Sequence, residues 1–180
     1  MRVSLVSGMR RHLPLAALAS VLLAAAALVS VPLWEPASAP AAEVLPMGKT
    51  VLTVSSRGKD TPFDMRMLEA LPQTTLAVDT PWYPRKVSFR GPLLRDVLAA
   101  AGAGGTRITA VAINDYAAEI PFDDALRHDT VLALRLNGKL MSPRDKGPLF
   151  MIYPYGEFPP EEVQKYYGRS VWQVDMLKVD

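Results

Sequence analysis

Cysteine is absent from all 180 residues of the chain. A disulfide framework, a thiolate nucleophile and a cysteine metal ligand are therefore excluded. Histidine is scarce, since only His12 and His128 occur. Within residues 42–180 a zinc site built from histidine and cysteine is excluded, and a Ser-His-Asp site would have to use His128. The polar segment 127–129 around this residue indicates a solvated loop histidine.

An excess of charge of one sign is lacking in residues 42–180, where basic and acidic residues are equal in number. The basic character of the whole chain therefore comes from residues 1–41. Because no basic stripe runs along the remainder, nucleic acid is not expected as a partner.

The N-terminal segment has the pattern of a secretory signal. Arg2, Arg10 and Arg11 precede an uncharged apolar stretch over 13–31, and a Pro/Ala/Ser-rich segment follows over 36–42. This pattern predicts a signal peptide over 1–41, with cleavage before Ala42. The stretch is also long enough for an uncleaved membrane anchor, and this alternative stays open. In both cases the remainder, a linker over 42–49 and a domain over 50–180, is expected to be exported to the periplasm.

Short segments of alternating or β-branched residues outnumber helical patterns in the exported part. We expect strands over 51–55, 74–80, 87–90, 107–113, 116–120, 130–136, 149–153 and 171–179. Polar turns are expected over 57–60 and at Asn137-Gly138, the strongest hairpin signal in the chain. With no regular βαβ alternation, the fold class is α+β: a mixed β-sheet or flattened barrel with a few short helices.

Helices are predicted at four places. One begins at Asp64 as N-cap and ends before Pro72, and a stronger one runs from Pro92 to Gly102. A short helix with Asp123 as cap follows Pro121, and 161–167 is expected to form a helical turn. The core is predicted to contain Leu94, Val97, Leu98, Val111, Leu132, Leu134, Met151 and Trp172.

Polar and aromatic residues concentrate in four predicted loops, over 82–90, 114–116, 144–148 and 153–158. Arginine and lysine beside aromatic rings could bind a planar, anionic ligand by stacking and charge-assisted hydrogen bonds. Turn formation explains the same residue types without a ligand, and this alternative stays open. Carboxylates at Asp115 and Glu119 and the pairs at 123–124 and 161–162 could perform acid–base chemistry, but the two adjacent pairs fit helix N-terminal charges. No catalytic residue and no metal ligand is assigned.

Several segments in order resemble the molybdopterin-binding domain of the sulfite oxidase superfamily, in particular its small stand-alone exported members. The matching segments are 63–72, 89–98, 114–117, 132–139, 147–149 and 171–173. The resemblance implies a mixed α+β fold, an oxidoreductase ancestry and a molybdopterin site made by loops. It also implies that cofactor-binding residues line one concave surface: Thr80, Trp82, Tyr83, Arg90, Asn114, Asp115, Tyr116, Arg144 and Lys146.

One departure from the family pattern concerns the metal. The family's enzymes bind molybdenum through a cysteine that follows the strand matching 74–80, and here Thr80 stands near that position. A threonine hydroxyl is not a soft anionic ligand at neutral pH. We therefore expect an oxidoreductase-like domain without cysteine-ligated molybdenum catalysis. The alternative is a non-catalytic module on the same fold, a sensory accessory that binds a small anionic or pterin-like ligand or a membrane redox or signalling protein.

Overall fold

The computed structural model describes residues 47–180. The predicted signal peptide or anchor, its cleavage site and most of the 42–49 linker lie outside these residues. Within 47–180, no helix combines the length and the apolar character needed to span a membrane.

Eleven strands and four α-helices occur in the described residues. The strands are β1 (Thr50–Ser56), β2 (Lys59–Asp64), β3 (Gln73–Thr80), β4 (Tyr83–Pro92), β5 (Arg107–Ala112), β6 (Ala117–Pro121), β7 (Val131–Ala133), β8 (Arg135–Leu136), β9 (Lys139–Leu140), β10 (Phe150–Ile152) and β11 (Val174–Val179). The helices are α1 (Met65–Ala70), α2 (Leu94–Ala100), α3 (Phe122–Arg127) and α4 (Pro160–Arg169).

The strands form three open sheets. The largest has the order β2-β1-β11-β5-β6, the second β3-β4-β8-β9, and β7 pairs with β10. The pairing of β1 with β11 is parallel, whereas the other pairs are antiparallel. The predicted α+β class with mixed sheets is therefore confirmed, with open sheets rather than a closed barrel in the described part of the chain.

Local sequence signals explain where several elements begin and end. Asp64 is the N-cap of α1, where its Oδ1 accepts a hydrogen bond of 2.8 Å from the Met67 amide, as predicted. Asn137 and Gly138 have φ values of 48° and 81° and join β8 to β9, which confirms the predicted hairpin. By contrast, Asp123 does not cap α3, because Pro121 stands at the N-cap and Asp123 lies in the first turn.

Tertiary pairing overrides the local pattern elsewhere. The polar start of β2, at Lys59 and Asp60, was expected to be a turn, but it pairs with Ser56 and Ser55 of β1. The expected turn at 161–167 is a ten-residue helix, α4. The ladder to β1 satisfies the backbone of β2 even at Lys59 and Asp60, whose side chains are exposed.

The core lies between the sheets and the short helices. Its predicted members are buried at Leu94, Val97, Leu98, Leu132, Leu134 and Met151. Two predicted members are wrong. Val111 is half-buried because it points to the other face of β5 from Ala110 and Ala112. Trp172 is 37% exposed because it lies in the connection between α4 and β11.

Candidate functional site

Trp172 lies where four loops of the molecule meet. Its ring is 6.2 Å from that of Trp82 and 6.2 Å from that of Phe150, in edge-to-face geometry. Tyr116 lies parallel to it, with 6.5 Å between ring centroids and 7° between planes. Lys146 Nζ lies 4.8 Å from the centroid of the Trp172 ring, within cation–π range.

A cavity of about 320 Å³ opens beside these rings, and we call it the aromatic cleft. It is lined by Pro81, Trp82, Tyr116, Gln164, Tyr167, Gly168, Ser170 and Trp172. Four of these residues are aromatic, and the carboxamide of Gln164 and the phenol groups of the tyrosines supply donors and acceptors. The cleft can therefore stack a planar ring and pair with its polar edge.

Trp82 is held in place by packing rather than by hydrogen bonds. It follows β3 in the connection to β4, and its ring contacts those of Phe150, Tyr155 and Tyr167 at 5.1, 6.3 and 5.7 Å. Phe150 and Tyr155 are buried, so one side of the indole rests on the core while the rest lines the cleft.

The turn that carries Tyr116 is fixed by backbone hydrogen bonds. Asp115 has a φ of 63°, and its amide donates to the Ala112 carbonyl at 2.9 Å. The Asn114 side-chain oxygen accepts from the Tyr116 amide at 3.3 Å. Asn114 and Asp115 thus shape the turn that presents Tyr116, in agreement with the turn interpretation of these two residues.

The segment that carries Lys146 is anchored to the strand beside Trp172. Lys146 has a φ of 69°, and its carbonyl accepts from the Gln173 amide at 3.1 Å. The Gln173 side chain donates to the Pro143 carbonyl at 2.7 Å. A side chain at Gly147 would overlap the Met141 carbonyl, so only glycine fits this close approach. These contacts hold Lys146 near Trp172.

Helix α4 forms one wall of the cleft and is tied to α3 by a largely buried ion pair. Arg169 donates to the Asp124 carboxylate at 2.6 Å, and the Tyr153 hydroxyl donates to the same oxygen at 3.3 Å. Burial, together with the negative charge of Asp124, raises the pKa of Tyr153, which therefore stays protonated as a donor. Tyr166 of α4 stacks on Phe158, with ring centroids 3.6 Å apart.

At the cleft wall, a buried hydrogen-bonded pair joins Tyr155 to the lining residue Ser170, and the two side-chain oxygens are 2.6 Å apart. Ser170 Oγ donates to the Tyr166 carbonyl at 2.8 Å, so the Tyr155 hydroxyl is the donor to Ser170. Burial raises the pKa of Tyr155 and keeps it protonated. These neutral contacts fix the end of α4 without providing an acid or base in the physiological range.

Thr80 and Tyr83 close the end of the β3–β4 pair and lie opposite each other in its register. Thr80 Oγ1 is buried and has no hydrogen-bond partner in residues 47–180. Tyr83 packs edge-on against Phe89 at 6.0 Å, and burial followed by the charge of Asp145 raises its pKa.

The residues predicted to line one concave surface thus lie at several different places in the structure. Trp82 and Tyr116 line the aromatic cleft, and Lys146 lies over Trp172. Arg144 is exposed on the 3-10 turn at Pro143–Asp145. Arg90 lines a different cavity with Glu69, Gln73, Arg135 and Gly138. Between Tyr83 and Arg90 the strand β4 covers about 20 Å, so Arg90 lies apart from Trp82.

Sequence reasoning missed Trp172, Tyr167 and Gln164 as members of the site. Trp172 was assigned to the core, where its neighbours Val171 and Val174 are in fact buried. The available signal was the density of aromatic residues between 166 and 172, where α4 passes into β11. Aromatic residues with polar neighbours at such a junction are candidates for a surface site.

The comparisons with known proteins agree with this architecture. The family model "Oxidoreductase molybdopterin binding domain" matches residues 52–157. The solved structure of the sulfane dehydrogenase SoxCD from Paracoccus pantotrophus superposes with a TM-score of 0.53 at 19% identity. That match covers 71% of this chain and 37% of the SoxCD chain. No curated protein sequence matches the chain.

The fold and the loop-built site define an α+β domain of the molybdopterin-binding class. Because the family model matches more than half of the sequence, the chain belongs to the oxidoreductase molybdopterin-binding domain family. The likeness to SoxCD shows the shared fold, and this chain spans little more than a third of that protein's length.

The donor set of the chain does not fit thiolate-bound molybdenum. The sequence contains no cysteine, and within residues 47–180 no three His, Asp or Glu side chains are grouped so that they could hold a metal ion. Thr80, near the family's ligand position, offers only a neutral hydroxyl, which is a poor ligand for a soft metal centre. The rings and polar groups of the aromatic cleft do fit the organic, planar part of such a cofactor.

Proposed function

We propose that this chain is an exported ligand-binding domain, in which the aromatic cleft holds a planar, anionic, pterin-like molecule without cysteine-bound molybdenum. The observation that carries the proposal is the exposed Trp172 at the meeting point of four loops, with Trp82 and Tyr116 beside it and Lys146 over its ring. A large aromatic side chain left exposed among other rings is typical of a binding site.

The chemistry of the cleft selects the ligand class. Stacked and edge-to-face aromatic pairs contribute about 0.5–1.5 kcal/mol each beyond the burial of their area, which favours a flat heterocycle. The ammonium of Lys146 favours a negative charge near Trp172. Gln164 can donate and accept at the edge of a heterocycle, as a pterin ring requires.

The test is a fluorescence titration of the full chain with pterin-6-carboxylate. We expect saturable quenching of tryptophan emission and about tenfold weaker binding in Trp172→Ala, because the lost ring contact is worth about 0.5–1.5 kcal/mol and the lost buried area adds to it. Leu126→Ala is the control, since Leu126 is 56% exposed and does not line the cleft. Equal affinity in Trp172→Ala and the parent protein, or stoichiometric molybdenum in the purified protein, contradicts the proposal.

The second candidate is a partner-binding module, favoured by the exposed apolar residues Ile113 and Tyr116 beside Trp172. The Ile113 amide donates to the Gln173 carbonyl at 3.0 Å, so this residue lies next to the cleft without lining it. The substitution Ile113→Ser separates the two candidates. If the cleft is a ligand site, the affinity of Ile113→Ser for pterin-6-carboxylate stays within about twofold of the parent value. If this face docks a membrane redox or signalling protein, the variant loses that partner, because an apolar contact residue has become polar.

The proposed export rests on residues 1–41. N-terminal sequencing of protein recovered from the periplasm is expected to begin at Ala42 or Glu43, because small residues precede that position. Intact chain recovered from salt-washed membranes supports the uncleaved anchor instead. Intact chain found in the cytoplasm contradicts export in either form.

A further inference from the structure

Another cavity in the described residues is lined only by polar residues and glycine. It encloses about 320 Å³ between Glu69, Gln73, Arg90, Arg135 and Gly138, and we call it the two-arginine cavity. It lies towards the end of β4 away from Trp82 and shares no lining residue with the aromatic cleft. A ligand at this cavity is therefore independent of one in the cleft.

Two positive charges, those of Arg90 and Arg135, lie side by side at this cavity. Arg90 of β4 and Arg135 of β8 lie directly opposite each other in the strand register. Like charges in such positions repel and destabilise a sheet. The Arg135 side chain is compensated by Glu69 at 2.7 Å, but within residues 47–180 the guanidinium of Arg90 has no hydrogen-bond or ion-pair partner. One guanidinium at the cavity is therefore left uncompensated.

The end of α1 is fixed on one side of the two-arginine cavity. The Gln73 side chain donates to the carbonyls of Leu68 and Leu71, both at 2.9 Å. These bonds hold the last turn of α1, which carries Glu69, against the start of β3. The position of Glu69 beside Arg135 is thereby set before any ligand arrives.

The β8–β9 hairpin is fixed on the other side. Asn137 accepts from the Ser88 amide at 2.9 Å and donates its own amide to the Ser88 carbonyl at 2.7 Å. These bonds hold the turn with Gly138 against β4. Since neither wall must be ordered on binding, a small ligand meets a preformed site.

We propose that the two-arginine cavity binds a small oxyanion, a phosphate, sulfate or carboxylate group, between Arg90 and Arg135. The planar guanidinium fork matches two oxygens of such a group. The Glu69 carboxylate already lies on one side of Arg135, which shows that this arginine donates to carboxylate oxygens here. An oxyanion ligand supplies Arg90 with the negatively charged acceptor oxygens that Glu69 supplies to Arg135.

The first test is an NMR titration of the full chain with inorganic phosphate, sulfate and acetate, at ionic strength matched with sodium chloride. We expect saturable shifts at 88–90 and 135–138. In Arg90→Gln the affinity is expected to fall by about tenfold or more, since a hydrogen bond to a charged group is worth about 1.5–3 kcal/mol. Arg85→Gln, the same change at an exposed site on the same strand, is expected to stay within about twofold.

A second pair of variants tests the role of Glu69 in the opposite direction. Glu69→Gln frees Arg135 and is expected to strengthen anion binding about twofold to fivefold, the range of a partly exposed ion pair. Glu119→Gln, at an ion pair of the large sheet, is expected to have no effect. The preferred anion, phosphate, sulfate or acetate, identifies the chemical group. Shifts no larger than with chloride, or equal losses in Arg90→Gln and Arg85→Gln, overturn the proposal.

Discussion

At the scale of single residues, Trp172 combines two properties that rarely occur together. Its ring contacts three other aromatic rings, yet 37% of the residue is exposed. A side chain placed only for core packing would have covered that surface, because burying an aromatic ring stabilises the fold. The proposed function accounts for this exposure by a ligand that covers the ring when bound.

Asp64 shows how a single buried carboxylate shapes the domain. It caps α1 through the Met67 amide and also accepts from the amides of Met47 and Gly48, at 3.0 and 2.8 Å. The bond from the Met67 amide lowers the pKa of Asp64 despite its burial, and the bond from the Gly48 amide and the charge of Arg66 act in the same direction. The ionised form is thus the one that joins the start of the domain to α1.

The pH dependence of the Asp64→Ala variant follows from this lowered pKa. The stabilisation by Asp64 is complete above its ordinary pKa of about 3.9 and is lost as the pH falls through the lower folded value. We expect the Tm of Asp64→Ala to lie below that of the parent protein at pH 7 and the gap to shrink below about pH 4. Asp175→Ala, at an exposed carboxylate of β11, is the control. A gap that stays constant to pH 2 in thermal melts contradicts the assignment.

At the scale of elements, α4 is an example of an element whose tertiary contacts compensate for weak local signals. It lacks a side-chain N-cap and contains a glycine near its end, although the proline at its first position and its acidic first turn favour a helix. Its position depends on the Arg169–Asp124 ion pair, where both side chains are mostly buried. Because Gln164 and Tyr167 of this helix line the cleft, the ion pair also positions the site.

Substituting Asp124 therefore tests α4 as a unit. We expect Asp124→Ala to lower the free energy of unfolding by about 1–3 kcal/mol, since Arg169 and Tyr153 lose their partner in a buried place. The affinity for pterin-6-carboxylate is expected to fall as well. The neighbouring Asp123→Ala removes only an exposed pair with Arg127, and its cost is expected to stay below about 0.5 kcal/mol. Denaturant melts of both variants check this, and equal costs would count against the ion pair as the anchor.

At the scale of the whole molecule, the predictable features are those determined by neighbouring residues. The capped start of α1, the helix after Pro92 and the Asn137-Gly138 hairpin depend on local chemistry, and all were predicted from the sequence. The strand at Lys59 could not be predicted this way, because it exists only by pairing with β1. The order of the predicted strands and helices, without regular βαβ alternation, indicated the α+β class, and the family resemblance implied the same class.

The candidate site was predictable only in part, for a related reason. The loops around Trp82, Tyr116 and Lys146 were identified, but sequence gives no distance between loops. It therefore placed Arg90 with Trp82 although β4 separates them by about 20 Å. It also assigned Trp172 to the core, because hydrophobicity cannot distinguish a buried ring from one that covers a cleft.

The central claim is that Trp82 and Trp172 share one ligand site, and the indole N–H signals of the protein test it directly. The chain has three tryptophans, and Trp34 lies outside the described residues. In a ¹⁵N–¹H titration of the full chain with pterin-6-carboxylate, we predict that the Trp82 and Trp172 indole signals shift along the same saturation curve. Indole signals for Trp82 and Trp172 that do not move, or that saturate at different ligand concentrations, would contradict the claim.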